Sequence, residues 1–156
     1  MKILILGAGR VGSSLASTLS KQQYEVSIVD SNKNRLQRLQ EDLDLATEVG
    51  HGSYPSTLKK VGADEETILL AVTNSDECNI TACQIAKSKF NVKKTICRLS
   101  DASYLNSLSA FGENNIDIAI SPENEVTEHL VDLIKHPGAE QIESFANGSI
   151  KVVSVK

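Results

Sequence analysis

The chain has 156 residues, a formal net charge of −4, 4% aromatic residues and no tryptophan. That is the length of one domain with a core of its own, and neither its charge nor its aromatic content suits nucleic acid or an anionic membrane surface. Its apolar runs of 4–6 residues fall far short of the span of a bilayer, and Cys78, Cys83 and Cys97, without CxxC spacing, fit reduced interior thiols better than a zinc site or a disulfide framework.

Lys2–Leu6 is a near-continuous apolar run, as a strand covered on both faces should be. Gly7-Ala8-Gly9-Arg10-Val11-Gly12 follows, with Val11, Leu15 and Leu19 at helical spacing, and then a second strand, Val26–Val29, ending on Asp30. Strand, G-x-G-x-x-G turn, helix, strand and acid is the order a dinucleotide site needs. Gly7 permits the tight turn, Gly9 lets backbone approach a pyrophosphate, and Gly12 lets the helix pack close to the strand. Peptide N–H groups at the helix start then face the phosphates. Asp30, 18 residues past Gly12, stands where a carboxylate accepts both hydroxyls of an adenine ribose. A glycine turn that holds no ligand is the plain alternative.

Asp30-Ser31-Asn32 caps a second helix bearing Leu36, Leu39 and Leu43; Leu45–Val49 is a third strand, and Pro55 lies just inside a short third helix. Thr67–Val72, Thr95–Arg98 and Ile116–Ile120 complete the strands. Helices open at Asn74-Ser75-Asp76-Glu77, Ser100-Asp101 and Ser121-Pro122-Glu123. Successive βα units predict an α/β fold: a Rossmann-like, doubly wound parallel sheet of six strands with helices on both faces and right-handed crossovers. His136-Pro137-Gly138 ends this body, which sets a nucleotide-binding domain at residues 1–136. In residues 137–156, Gln141–Phe145 and Ile150–Lys156 read as a hairpin around Asn147-Gly148, expected to begin a C-terminal lobe.

Ligands of an open α/β sheet lie outside the carboxyl ends of its strands. The third strand offers Gly50-His51-Gly52, small enough for an adenine to lie against, with His51 a loop residue rather than a catalyst. The fourth offers Thr73 and Asn74, expected to face the middle of a dinucleotide, while Ser75 and Asp76 serve equally well as helix caps. Arg98 closes the fifth strand, and its permanent charge requires an anion. Either it pairs with Asp76, Asp101 or Glu123, or it reaches a phosphate or the nicotinamide half of a ligand. Tyr24, Tyr54 and Tyr104 each lack a lysine four residues on, and no His–Asp or Cys–His pairing suggests a proton carrier or a nucleophile. Binding without turnover is the natural reading, and the cofactor domain of an NAD-dependent dehydrogenase or epimerase is its rival. Redox sensing by the cysteines is disfavoured by their internal positions.

Together, GAGRVG, Val29-Asp30, Gly50-His51-Gly52, the run Ala71–Glu77, Cys97-Arg98 and Ser121-Pro122-Glu123 resemble the KTN/RCK family of ligand-gated regulators of potassium channels and transporters. The resemblance covers essentially the whole chain, and AVTNSDECN and His136-Pro137-Gly138-Ala139 carry it more specifically than the glycine motif. It implies that Gly7, Ala8, Gly9, Arg10, Val11, Asp30, Thr73, Asn74 and Arg98 contact a bound NAD(H) or ATP/ADP, with no catalytic or metal-binding residue. It further implies a non-enzymatic regulatory subunit that dimerises and assembles into a ring on a membrane potassium transporter. That places it at the cytoplasmic face, peripheral and without insertion of its own. The stripe Val126, Leu130, Val131, Leu133 and Ile134 is wide enough to serve its own sheet or a neighbour.

Overall fold

The computed structural model describes residues 1–107, 116–145 and 150–155. Chain contacts divide it into two compact units, Met1–Ile120 and Ser121–Lys156. The first holds six parallel strands: β1 (Lys2–Leu6), β2 (Glu25–Asp30), β3 (Ala46–Val49), β4 (Thr67–Ala71), β5 (Lys94–Arg98) and β6 (Ile118–Ile120). Their order across the sheet is β3-β2-β1-β4-β5-β6. The order reverses between β1 and β4, so their carboxyl ends frame the crevice where such sheets take ligands.

Alternation along β1 divides the core. Ile3 and Ile5 point to the face covered by α1 (Arg10–Lys21) and α2 (Lys33–Asp42), where they pack with Ala16, Ile28 and Leu36. Leu4 and Leu6 point to the other face and join Leu58 of α3 (Pro55–Lys60) with Ile80, Cys83 and Ala86 of α4 (Asp76–Phe90). Ile5, Leu6, Ile28, Leu36, Leu58 and Leu69 are almost wholly buried, each stabilising the fold by about 1.5–3 kcal/mol relative to exposure.

Local chemistry sets the helix ends. The Asn32 side chain accepts from the N–H groups of Asn34 and Arg35 to start α2, and Ser75 accepts from Cys78 N–H at 3.1 Å to start α4. Ser75 is thus the cap that the sequence left undecided between it and Asp76. α4 ends on Asn91 in the left-handed conformation, at φ 51°, a state asparagine tolerates better than most residues. Asp101 caps the short α5 (Ala102–Asn106) through Ser103 N–H.

β6 is shorter than the expected Ile116–Ile120 because Asp117 turns its side chain back onto β5. Its carboxylate accepts from Thr95 N–H at 2.6 Å and from the Thr95 hydroxyl at 3.0 Å, while Asp117 N–H donates to Thr95 Oγ1 at 3.0 Å. Side-chain bonds thus take the place of ladder bonds at the start of this edge strand.

In the second unit, α6 (Pro122–Lys135) starts with the Ser121 cap, Pro122 in its first turn, and Glu123 and Glu125 complementing the helix dipole. Gly138, at φ +100°, leads into β7 (Ala139–Phe145), which pairs antiparallel with β8 (Ile150–Val155). The expected hairpin strands are therefore present, and the Asn147-Gly148 turn lies outside the described residues. Val126, Leu130, Val131 and Ile134 of α6 are exposed.

Candidate functional site

The carboxyl ends of β1, β2, β3, β4 and β5 open on a cleft of about 480 Å³, lined among others by Gly7, Gly9, Arg10, Val11, Asp30, Thr73, Asn74 and Arg98. The structure therefore brings these expected residues to one place; Ala8 is buried in the turn behind them. Three glycines explain the near wall. Gly7 adopts φ +102°, and a Cβ on it would lie 3.0 Å from the backbone of Thr73, so the turn can abut β4 only without a side chain. A Cβ on Gly12 would lie 1.8 Å from the carbonyl oxygen of Gly7, which forces glycine there. A Cβ on Gly9 would meet nothing within 4 Å. Packing does not demand glycine at position 9, and without a side chain its backbone stays open to the cleft.

Gly9 is also the N-cap of α1, and it supplies no side-chain cap to that helix, whose first turn carries no acid. α2, α4, α5 and α6 are all capped by side chains. The start of α1 therefore presents N–H donors and a positive dipole end to the cleft, an arrangement that favours an anion.

Asp30 is buried, at 7% exposure, and already works within the protein. Oδ2 accepts from Ala8 N–H and Oδ1 from Asn32 N–H, each at 2.7 Å, and Arg35 Nη1 stands 3.6 Å from Oδ2. The carboxylate thus ties the glycine turn to the end of β2. Each oxygen keeps a further lone pair for the cleft. Arg35 lines the cleft on the same side and brings a positive charge to this end.

At the floor, Thr73 turns its hydroxyl inward: Oγ1 donates to Asn79 Oδ1 at 2.7 Å and accepts from Ser75 N–H at 3.2 Å. Arg98 reaches toward β4, its Nη1 donating to Thr73 O at 3.4 Å. Asp76, one of the acids considered for Arg98, is occupied by backbone: its carboxylate accepts from Ser100 N–H at 2.9 Å and from Asp101 N–H at 2.9 Å, fastening the loop after β5 to the start of α4. The neighbouring Asn74 is exposed.

One residue escaped the sequence reading, and another, His51, was read only as a loop residue. Asn79 is fully buried behind Thr73; its signal was an amide on the buried stripe of α4 that also carries Asp76, Ile80 and Cys83. His51 lines the cleft with its ring stacked on Tyr54, centroids 4.9 Å apart, and its Nδ1 2.8 Å from Ser53 Oγ. Cys83 and Cys97 are buried as expected, and the hydrogen bond between them, with burial, pushes the Cys83 thiol up. Cys78, by contrast, is partly exposed and lines the cleft, because the third residue of α4 faces the crevice rather than the core. Among the described residues there is no group of His, Cys, Asp and Glu able to hold a metal ion, and no helix long and apolar enough to cross a membrane.

Residues 3–122 match the family described as the TrkA-N domain. The Trk system potassium uptake protein TrkA of Halomonas elongata is 42% identical over 100% of this chain, which spans 35% of that protein's length. The chain therefore corresponds to about a third of such a relative. Among solved structures, the TrkA-N domain of the Escherichia coli inner membrane protein ybaL superposes with a TM-score of 0.71 at 18% identity, covering 85% of this chain and 96% of that one. The GsuK channel bound to NAD superposes with a TM-score of 0.71 at 16% identity, covering 94% of this chain and 25% of that one. At these identities the superpositions speak for the fold.

Proposed function

This chain belongs to the TrkA-N domain family, and from that premise we propose that it is the nucleotide-sensing part of a non-enzymatic regulatory subunit of a membrane potassium-uptake transporter. The observation that carries the binding half is Gly9: an N-cap glycine that no packing contact requires, at the mouth of an uncapped helix and facing a cleft. Phosphates of NAD(H) or of ATP/ADP sit against the Gly7–Val11 turn and its N–H groups, with Arg10 beside them. Asp30 accepts the adenosine ribose hydroxyls through its remaining lone pairs. Asn74 and Arg98 flank the distal half of the ligand, and Thr73 supports that side from below.

The regulatory half draws on the relatives named Trk system potassium uptake proteins. Two ligands that differ in their contacts with Arg98 stabilise two arrangements of the domain and shift the population between them. The protein acts at the cytoplasmic face, bound to the transporter's membrane subunit and to further copies of itself as a dimer or a ring. The exposed α6 residues Val126, Leu130, Val131 and Ile134 provide apolar surface for such assembly.

Thermal shift tests the binding half. A ligand at a hundred times its Kd adds about 2.7 kcal/mol of stability, which for a chain of this size raises Tm by about 5–10 °C. ATP and NADH should each do so. A flat response to ATP, ADP, NAD and NADH refutes the reading.

A further inference from the structure

Pairing between β4 and β5 ends at Ala71 and Cys97. Beyond that rung β5 runs on to Arg98 and the chain after β4 passes through Thr73, both on the cleft, and their backbone groups there need partners. Asn79, reaching from the first turn of α4, supplies them. Its Oδ1 accepts from Thr73 N–H at 3.0 Å and from the Thr73 hydroxyl at 2.7 Å. Its Nδ2 donates to Thr73 O at 3.2 Å and to Arg98 O at 2.9 Å. The amide's two donors and its acceptor oxygen are therefore all directed at two residues, and the side chain is fully buried.

Thr73 is also the residue whose backbone Gly7 abuts, at the 3.0 Å a Cβ would find. Its carbonyl receives the Arg98 guanidinium as well. The phosphate turn, the loop after β4 and the end of β5 thus meet at Thr73, and Asn79 holds Thr73. A leucine or methionine would fill the same space in α4 at no polar cost, but it would leave four backbone and hydroxyl bonds unmade.

We propose that Asn79 is the positioning residue of the nucleotide cleft: it substitutes for the missing β4–β5 rung and fixes where Arg98 presents its guanidinium. Discrimination between nucleotides of different phosphate length then depends on a residue that touches no ligand. The inference rests on the nucleotide-binding reading above and adds to it the element that sets its selectivity.

A double-mutant cycle tests it. Asn79→Asp keeps the size and the acceptor but replaces the donor nitrogen by an oxygen facing the carbonyls of Thr73 and Arg98. ATP and ADP affinities are measured by calorimetry for wild type, Asn79→Asp, Arg98→Ala and the double variant, with the apo Tm of each. Asn79→Asp should lower the ATP/ADP affinity ratio about tenfold, and that loss should vanish in the Arg98→Ala background, since residues acting through one contact are not additive. Asn79→Ser, which leaves space for a water, is carried in parallel in case the carboxylate prevents folding. An unchanged ATP/ADP ratio, or a loss that persists without Arg98, overturns the proposal while leaving nucleotide binding intact. Unfolding of both Asn79 variants overturns it too, making the residue a determinant of the fold. If the wild type binds neither nucleotide, the reading beneath it has failed and the proposal goes with it.

Discussion

Substituting Gly9 by alanine separates the fold from the site more cleanly than any other change in the chain. Its backbone angles, φ −75° and ψ −170°, are open to any L-residue, and the added methyl meets no protein atom within 4 Å. Removing a glycine from the unfolded ensemble contributes about 0.4–1 kcal/mol of stability. The poorer N-cap costs a similar amount. The net change in Tm should stay within about 3 °C. The methyl nevertheless stands where phosphates approach the N–H groups of α1. Loss of one charge-assisted bond there costs about 1.5–3 kcal/mol, or one to two decades of affinity. Calorimetric titration with ATP and NADH beside a thermal melt measures both quantities on one preparation. Gly12→Ala is the control of opposite sense: a methyl 1.8 Å from a backbone oxygen should destabilise the fold by about 3 kcal/mol. A Gly9→Ala protein that melts normally and binds both nucleotides with wild-type affinity would refute the assignment of the phosphate site.

Asp30→Ala should weaken NADH binding by one to two decades and also lower Tm, because the carboxylate holds Ala8 N–H and Asn32 N–H as well as facing the cleft; loss of affinity with no change in Tm would contradict the second role. NAD should bind more tightly than NADP by calorimetry, since a 2′-phosphate would meet Asp30 with like charge, and Arg35, at 3.6 Å, only softens the difference; equal affinities would refute this. Incubation with NADH and a panel of carbonyl substrates should leave the nicotinamide absorbance unchanged, and oxidation abolished by a single strand-end substitution would restore the dehydrogenase reading. Burial acts to raise the Asp117 carboxyl, but Lys87 and the N–H and hydroxyl of Thr95 outweigh it and hold it below the usual carboxylate range. Its contribution is therefore full above pH ~4, the unfolded value, and is lost as pH falls through the lower folded value. Asp117→Asn should cost about 1 kcal/mol at pH 7, and the Tm gap to wild type should close on acidification below that point; a gap constant with pH would contradict it.

The strands and helices were legible because local signals agreed with the tertiary fold: apolar runs of strand length, caps at Asn32, Ser75, Asp101 and Ser121, and glycines where a Cβ has no room. The cleft was legible because the topology carries every strand end to one side, so residues far apart in sequence converge by register alone. What escaped was the side-chain chemistry that binds loops to each other. Asp76 read as a helix-start acid, yet it accepts backbone amides from Ser100 and Asp101, 24 and 25 residues on. Asp117 read as the second residue of a strand, and instead it replaces the ladder. Asn79 drew no reading at all, although it is fully buried. Such bonds have no fixed spacing, because each depends on which two elements the fold lays side by side. The paired exposure of Cys78 and burial of Cys83 has the same origin: both lie on α4, but only one faces the crevice.

The central claim is that one cleft, built on the Gly7–Val11 turn, takes both a dinucleotide and a nucleoside triphosphate. Calorimetric competition tests it directly: NADH is titrated into the chain alone and then into the chain saturated with ATP. The account predicts one site per chain for each ligand, an apparent NADH affinity that falls in proportion to the ATP present, and a weakening of both by about one to two decades in Gly9→Ala. NADH binding that is indifferent to ATP, or no heat from either ligand with a folded chain, would contradict it.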